Sequence, residues 1–109
     1  MGFNSEFGVA LTTTSDPEEA NQLASRLVAE RLAACVQIIQ ITSHYVWEGR
    51  AHQEPEFLLL IKSRRSAYAA IETFLRSHHS YTTPEILWLP VEAGLEDYLN
   101  WMRENTRAG

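Results

Sequence analysis

The sequence predicts an α+β domain with elements in the order strand, helix, strand, strand, helix, strand, helix. Short apolar or β-branched runs alternate with segments whose apolar residues recur at steps of three and four. A Glu48-Gly49 pair separates the two longest strand-like runs. The chain has 109 residues, of which 45% are hydrophobic, which is enough for a core. We expect one domain over residues 1–109, with a flexible N-terminus at 1–6 and a C-terminal tail at 104–109.

The first two elements are a strand and a helix. The segment from Glu6 to Thr14 is rich in β-branched and apolar residues and too short for a helix. Asp16 and Pro17 match an N-cap and the first helical position, so a helix begins there. Its apolar stripe continues to Leu32, where we expect the helix to end.

A long hairpin follows. The second strand of the chain runs from Cys35 to Trp47 and the third from Arg50 to Ser63. A two-residue turn that contains glycine joins them. The apolar residues change sides at Ile38–Ile39, which predicts either a bulge or a section buried on both faces.

The remaining elements are a helix, a strand and a shorter helix. Ser66 is placed to cap the second helix, whose apolar stripe reaches His78. Residues 86–89 form a core strand, which we expect Pro90 to stop. The third helix follows Gly94 and carries apolar residues on one face.

Right-handed crossovers fold the first six elements into a ferredoxin-like βαββαβ sandwich, with an extra C-terminal helix and the second strand at an edge. That strand would be about 43 Å long. A compact spherical domain of this chain length would be only about 34 Å in diameter. The hairpin must therefore protrude, and its exposed Tyr45 and Trp47 invite association. We expect it to pair with other copies in a closed ring.

The composition excludes several protein classes. Nine Lys and Arg against fourteen Asp and Glu give a net charge of −5, which disfavours a nucleic-acid partner. Cys35 is the only cysteine, so no intrachain disulfide is possible, and we expect it to pack in the core. The sequence has no membrane-spanning apolar run and no common catalytic motif, and from its first residues we expect no secretory leader. We expect a cytoplasmic protein that is not an enzyme, with no membrane association and no organic cofactor.

Two groups of residues are candidates for a site. His78 and His79 are adjacent imidazoles, which suit copper, zinc or nickel. The alternative is that His78 packs on the apolar stripe and His79 interacts with the helix C-terminus. The second group consists of residues that could line a cleft and that equally suit a subunit interface. It comprises Tyr45, Trp47, Glu56, Tyr81, Pro84 and Glu85.

Lys62 follows the apolar run of the third strand. A lysine in a buried strand needs an anionic partner, which Glu56 or Glu85 could provide, in the same chain or from another copy. Lys62 is therefore grouped with the cleft.

Four stretches, in this order and at these spacings, resemble the CutA divalent-cation tolerance proteins. They are ERLAACV at 30–36, SHYVWEG at 43–49, SHHSYTTPE at 77–85 and DYLNW at 97–101. The similarity covers about residues 7–103. It implies a ferredoxin-like subunit in a homotrimer assembled through long hairpins, in the manner of the PII signalling proteins.

The resemblance also implies a role in tolerance to copper or other divalent cations, with His78 and His79 as candidate copper ligands. Some members have a cysteine implicated in metal binding where this chain has Thr12, a poor ligand for soft metals. Proline often follows the histidine pair in the family, whereas this chain has Ser80. We expect a trimeric metal-binding protein with intersubunit clefts. The alternatives are a PII-like sensor of a small anionic ligand near Lys62 and a stable trimeric scaffold that anchors a partner protein.

Overall fold

The computed structural model describes residues 5–107, and the predicted fold class is confirmed. The strands form one antiparallel sheet in the order β2-β3-β1-β4, so β2 lies at an edge as predicted. The elements are β1 (Phe7–Thr14), α1 (Pro17–Ala29), β2 (Cys35–Trp47), β3 (Arg50–Arg64), α2 (Tyr68–His78), β4 (Leu87–Val91) and α3 (Glu96–Glu104).

Local signals set two of these boundaries. The Asp16 side chain accepts a hydrogen bond of 2.9 Å from the Glu18 amide, and Pro17 occupies the first turn of α1. Glu48 and Gly49 both adopt positive φ angles, 52° and 76°, as a tight hairpin turn requires. The sequence predicted both features correctly.

The first helix ends earlier than predicted. α1 stops at Ala29, and Arg31 takes a positive φ of 59°. Leu32 is nevertheless buried, because the chain turns and returns it to the core. The spacing rule therefore identified a core residue but assigned it to the wrong element.

The predicted Ser66 cap is not formed. A 3₁₀ turn over Arg65–Ala67 precedes α2, whose N-cap, Ala67, has no side chain that can accept a hydrogen bond. The turn carries the chain from β3 into the helix.

The last strand runs further than predicted. β4 includes Pro90 and ends at Val91, whereas Ile86 precedes it. An edge strand tolerates proline, since one row of its N–H groups faces away from the sheet.

The long hairpin pairs without interruption from Cys35 opposite Lys62 to Trp47 opposite Arg50. Neither a bulge nor burial on both faces is present around Ile38–Ile39 in this chain. Ile38 packs on the core, whereas Ile39 points to the other side of the sheet and is 46% exposed. All residues from 44 to 51 are exposed, and the longest dimension of the molecule is 43 Å. The hairpin therefore protrudes as predicted.

The two sides of the sheet differ, and we call them the covered face and the open face. The covered face packs against α1 and α2, where Ala10, Leu59 and Ile61 are fully buried. The open face carries the alternate side chains of the same strands. α3 lies at one end of the open face, with the Arg103 guanidinium 5.2 Å from the centre of the Phe7 ring.

Residues near both ends of the described range contact the rest of the chain. The expected flexible N-terminus and C-terminal tail fall partly outside residues 5–107. Among the described residues, the Glu6 carboxylate forms two 2.9 Å hydrogen bonds with Arg103, and Thr106 is buried.

Candidate functional site: an acidic aromatic cleft and the histidine pair

A cleft of about 520 Å³ lies where the hairpin meets the loop before β4. Five of the seven predicted cleft residues line it. They are Tyr45, Trp47, Glu56, Tyr81 and Glu85. The other lining residues are Thr13, Ser43, His44, Thr82 and Thr83.

Most of the strand residues in the lining belong to the open face. Glu56 of β3 lies opposite Ile41 of β2, so both side chains are on the same side of the sheet. Ser43, Tyr45 and Trp47 follow Ile41 at every second position and therefore point to that side too. Period-two alternation from Tyr45 could have added Ser43 to the predicted set. Thr13 had no such signal, because it reaches the cleft through the pairing of β1 with β3.

Two predicted members lie elsewhere. Pro84 does not line the cleft. Lys62 lies at the far end of β3, with Nζ 3.5 Å from the Tyr98 hydroxyl and 5.5 Å from the centre of the Tyr98 ring. Within residues 5–107, Lys62 forms no ion pair with Glu56 or Glu85. Its neighbour in this chain is thus an aromatic ring.

Tyr45 is held in place on the hairpin side of the cleft. Its ring stacks on His52, with ring centres 5.3 Å apart, and its hydroxyl donates a 2.7 Å hydrogen bond to Glu54. The bond to the Glu54 carboxylate raises the pKa of Tyr45 to about 12. The phenol therefore stays neutral at physiological pH.

Tyr81 is held on the loop side. Its hydroxyl donates a 2.9 Å hydrogen bond to Glu56, and its ring packs against His79 with centres 4.8 Å apart. Burial is the main cause that raises the pKa of Tyr81. Both phenols act as neutral donors to carboxylates.

The cleft is acidic. Burial, and then the negative charge of Glu56, raise the pKa of the Glu85 carboxyl. Of the described residues that line the cleft, none is Lys or Arg. The two carboxylates therefore face a cleft whose described lining has no Lys or Arg to balance them and one imidazole, that of His44.

His79 is committed to structure. Its side chain is 0% exposed, and its Nε2–H donates a 2.8 Å hydrogen bond to the Thr13 carbonyl. Its Nδ1 accepts a 3.0 Å hydrogen bond from the Tyr81 amide. Because both nitrogens have backbone partners, His79 offers no free lone pair unless one of these bonds breaks.

Glu19 of α1 stabilises the same loop. Its carboxylate accepts hydrogen bonds from the Thr14 hydroxyl, from the Ser80 amide at 2.6 Å and from the Ser80 hydroxyl at 2.8 Å. Burial raises the pKa of Glu19, but these bonds and the nearby His79 together outweigh it and bring the pKa below 4.5. Ser80 is thus fixed by a carboxylate.

His78 differs from its neighbour. It is exposed, and its Nδ1–H donates a 2.8 Å hydrogen bond to the Phe74 carbonyl. This fixes the tautomer and leaves Nε2 as a lone pair directed away from the backbone. Of the two histidines, only His78 keeps a ring nitrogen without a hydrogen-bond partner among the described residues.

The residues that the structure describes do not form a complete metal site. No group of three or more His, Cys, Asp or Glu side chains is arranged within residues 5–107 so that it could hold an ion. Thr12 is fully buried, and its hydroxyl has no hydrogen-bond partner among the described residues. Cys35 is half-buried on the open face, opposite Lys62, and not in the core as predicted. A full coordination sphere would need ligands from outside the described chain.

Comparison with known proteins identifies the family. A model described as CutA1 divalent ion tolerance protein matches residues 8–105. The chain belongs to the CutA1 family. The resemblance found in its four sequence stretches is thereby confirmed.

Curated relatives agree. The chain is 43% identical over 99 residues to the "Divalent-cation tolerance protein CutA" of Thermus thermophilus, covering 90% of this chain and 96% of that protein. It is 45% identical over 95 residues to the protein of the same name from Yersinia pestis, covering 86% of this chain and 80% of that protein.

Solved CutA1 structures share the fold. CutA1 from Oryza sativa superposes with a TM-score of 0.92 at 35% identity, covering 99% of this chain and 100% of that one. These matches are to a family of tolerance proteins and indicate no enzyme family. Within residues 5–107, no helix has the length and apolar content needed to cross a membrane.

Proposed function

We propose that this CutA1 family member acts in divalent-cation tolerance as a homotrimer that binds copper or another divalent ion through His78. The proposal is supported chiefly by the hydrogen bond of 2.8 Å between His78 Nδ1 and the Phe74 carbonyl. Histidines that ligate metals usually donate their second ring N–H to a carbonyl or carboxylate, which fixes the ring for coordination. Imidazole nitrogen suits copper and zinc.

The homotrimer is supported by the open face. Leu87 and Leu89 of β4 are about half exposed there, and Ile39 is close to that value. A second copy would bury these apolar side chains and cover the free edges of β2 and β4.

His79 takes a different part in this proposal. Coordination through His79 would cost at least one of its two backbone hydrogen bonds, and its side chain is closed to solvent. We assign it the positioning of Tyr81 and of the loop that lines the cleft. We further propose a cytoplasmic location, which suits a chain whose one cysteine is a free thiol.

Calorimetric titration of copper and of zinc into the wild type, His78→Ala and His44→Ala tests the metal proposal. We expect His78→Ala to weaken binding about tenfold or more, whereas His44→Ala, which removes another exposed imidazole, binds like the wild type. Affinity should fall as the pH decreases, because a protonated imidazole does not ligate. Identical isotherms for the wild type and His78→Ala would rule out His78 as a ligand.

A second candidate function, sensing of a small ligand, is supported by the cleft. Its volume of about 520 Å³ lies within the range of about 300–1,000 Å³ that is usual for small-molecule sites. Because Lys62 is not part of the lining, a ligand in the cleft would meet carboxylates and aromatic rings instead of an amine.

A further inference from the structure

The charges of the cleft select the sign of its ligand. Glu56 and Glu85 both face it, and the described lining contains no Lys or Arg. The whole chain also carries a net charge of −5. An anion would be repelled by both carboxylates and would find neither Lys nor Arg in the described lining, whose one imidazole is that of His44. A cation would relieve the repulsion between the two acids.

The walls of the cleft select an organic cation over a metal ion. Tyr45, Trp47 and Tyr81 present three aromatic rings to a space of about 520 Å³. Aromatic faces attract ammonium groups, and the attraction is strongest for Trp. Two carboxylates in so large and aromatic a space make a poor cage for a small divalent ion, which prefers about six oxygen ligands.

We propose that the cleft binds a small organic cation with protonated amino groups, which ion-pair with Glu56 and Glu85 while its alkyl part lies against Tyr45, Trp47 and Tyr81. The inference rests on the second candidate function and names its ligand class. It does not depend on metal binding at His78.

The side chains are already arranged for such a ligand. Stacking on His52 and the bond to Glu54 hold Tyr45, and contact with the buried His79 holds Tyr81. The Tyr81 hydroxyl donates to Glu56 Oε2, which orients that carboxylate. Because these side chains are already held, ligand binding costs little of their conformational entropy. His79, from the motif that the resemblance associates with copper, supports the wall of this site.

Putrescine, a diamine with two positive charges, is a suitable probe, with two matched comparators. Butane-1,4-diol has the same four-carbon chain as putrescine but no charge. Mg²⁺ has the same charge as putrescine but no carbon chain. We expect calorimetry and tryptophan fluorescence at constant ionic strength to show saturable binding of putrescine to the wild type. Neither comparator should bind in the cleft at the same concentrations.

Two variants test the site and a third controls for charge. Glu85→Gln should weaken putrescine binding about tenfold, since it removes one charged hydrogen-bond acceptor. Trp47→Leu should weaken it about threefold to tenfold. Glu92→Gln makes the same charge change at an exposed position outside the cleft and should bind like the wild type. Sedimentation should give each variant the mass of the wild type, so that altered assembly is not the cause.

Three results would overturn the proposal: no putrescine binding by the wild type, an equal response to butane-1,4-diol, or unchanged affinity in Glu85→Gln. The metal titrations use another variant and another ligand, so failure of one proposal leaves the other standing.

Discussion

The covered face and the open face of the sheet are built from the same strands but have opposite surroundings. On the covered face, Leu59 and Ile61 of β3 have no exposed surface. On the open face, Leu87 and Leu89 are 52% and 50% exposed. Alternation gives both faces apolar side chains, but α1 and α2 cover only one of them. Because α3 covers only one end of the open face, Leu87 and Leu89 remain an apolar surface that no helix of the chain covers.

The same open face carries most of the strand residues of the cleft. Thr13, Ser43, Tyr45, Trp47 and Glu56 all point to this side of the sheet. Surfaces for assembly and for ligand binding therefore adjoin. We infer that association of copies and formation of the functional sites are linked.

The largest expected effect is on assembly. The double substitution Leu87→Glu and Leu89→Glu places two carboxylates on the open face of β4. If copies cover this face, each buried ion costs several kcal/mol, and the assembly should dissociate at micromolar concentration. Sedimentation velocity measures this, with circular dichroism to follow secondary structure.

Val28→Glu is the control for that substitution. Val28 is 44% exposed on α1, away from the open face, and its replacement should leave the mass unchanged. An intact assembly with both glutamates on β4 would show that the open face of β4 is not an interface.

A core substitution beneath the covered face should have the next largest effect, which is on the free energy of unfolding. Ile71 of α2 is fully buried, and Ile71→Ala should lower the free energy of unfolding by about 2–5 kcal/mol through lost burial and a cavity. Guanidinium denaturation measures this. Val28→Ala, at a partly exposed helix position, should stay within about 0.5 kcal/mol of the wild type. Equal costs at the two positions would contradict the distinction between core and surface.

The smallest expected effect concerns the loop of the cleft. Glu19→Gln removes the charge that accepts bonds from Thr14 and Ser80, and should cost about 1–3 kcal/mol at pH 7. Because the pKa of Glu19 in the folded state lies below its ordinary value of 4.5, this contribution is present above pH 4.5. It is lost as the pH falls through the folded-state pKa.

Denaturation curves at pH 7 and at acid pH therefore test the role of Glu19. The wild type and Glu19→Gln should differ at pH 7 and converge on acidification. Glu18→Gln changes an exposed neighbour in the same helical turn and should have little effect at either pH. A difference between the wild type and Glu19→Gln that persists at acid pH would contradict the assigned ion interactions.

Much of the fold follows from local patterns. Asp16-Pro17 begins α1 and Glu48-Gly49 makes the hairpin turn, because these residue types satisfy local backbone requirements. The predicted end of α1 at Leu32 was wrong, because a residue can be buried without being helical. Pro90 lies within β4 because the strand is at an edge, which only the sheet order reveals.

The site is less visible in the sequence. His78 and His79 are the same residue type, and their difference arises from partners such as the Thr13 carbonyl, which is distant in the chain. Five of the residues predicted for an intersubunit cleft line a cleft of the single chain, and its place between copies stays a prediction. The sequence did not reveal the position of Lys62 beside Tyr98, because that contact depends on where α3 docks.

The mass of the protein in solution tests most directly the claim that its functional surfaces arise where copies meet. Sedimentation equilibrium over micromolar concentrations should give three times the 12.4 kDa of a single chain. A mass of 12.4 kDa across that range, with the open face in contact with solvent, would contradict the account.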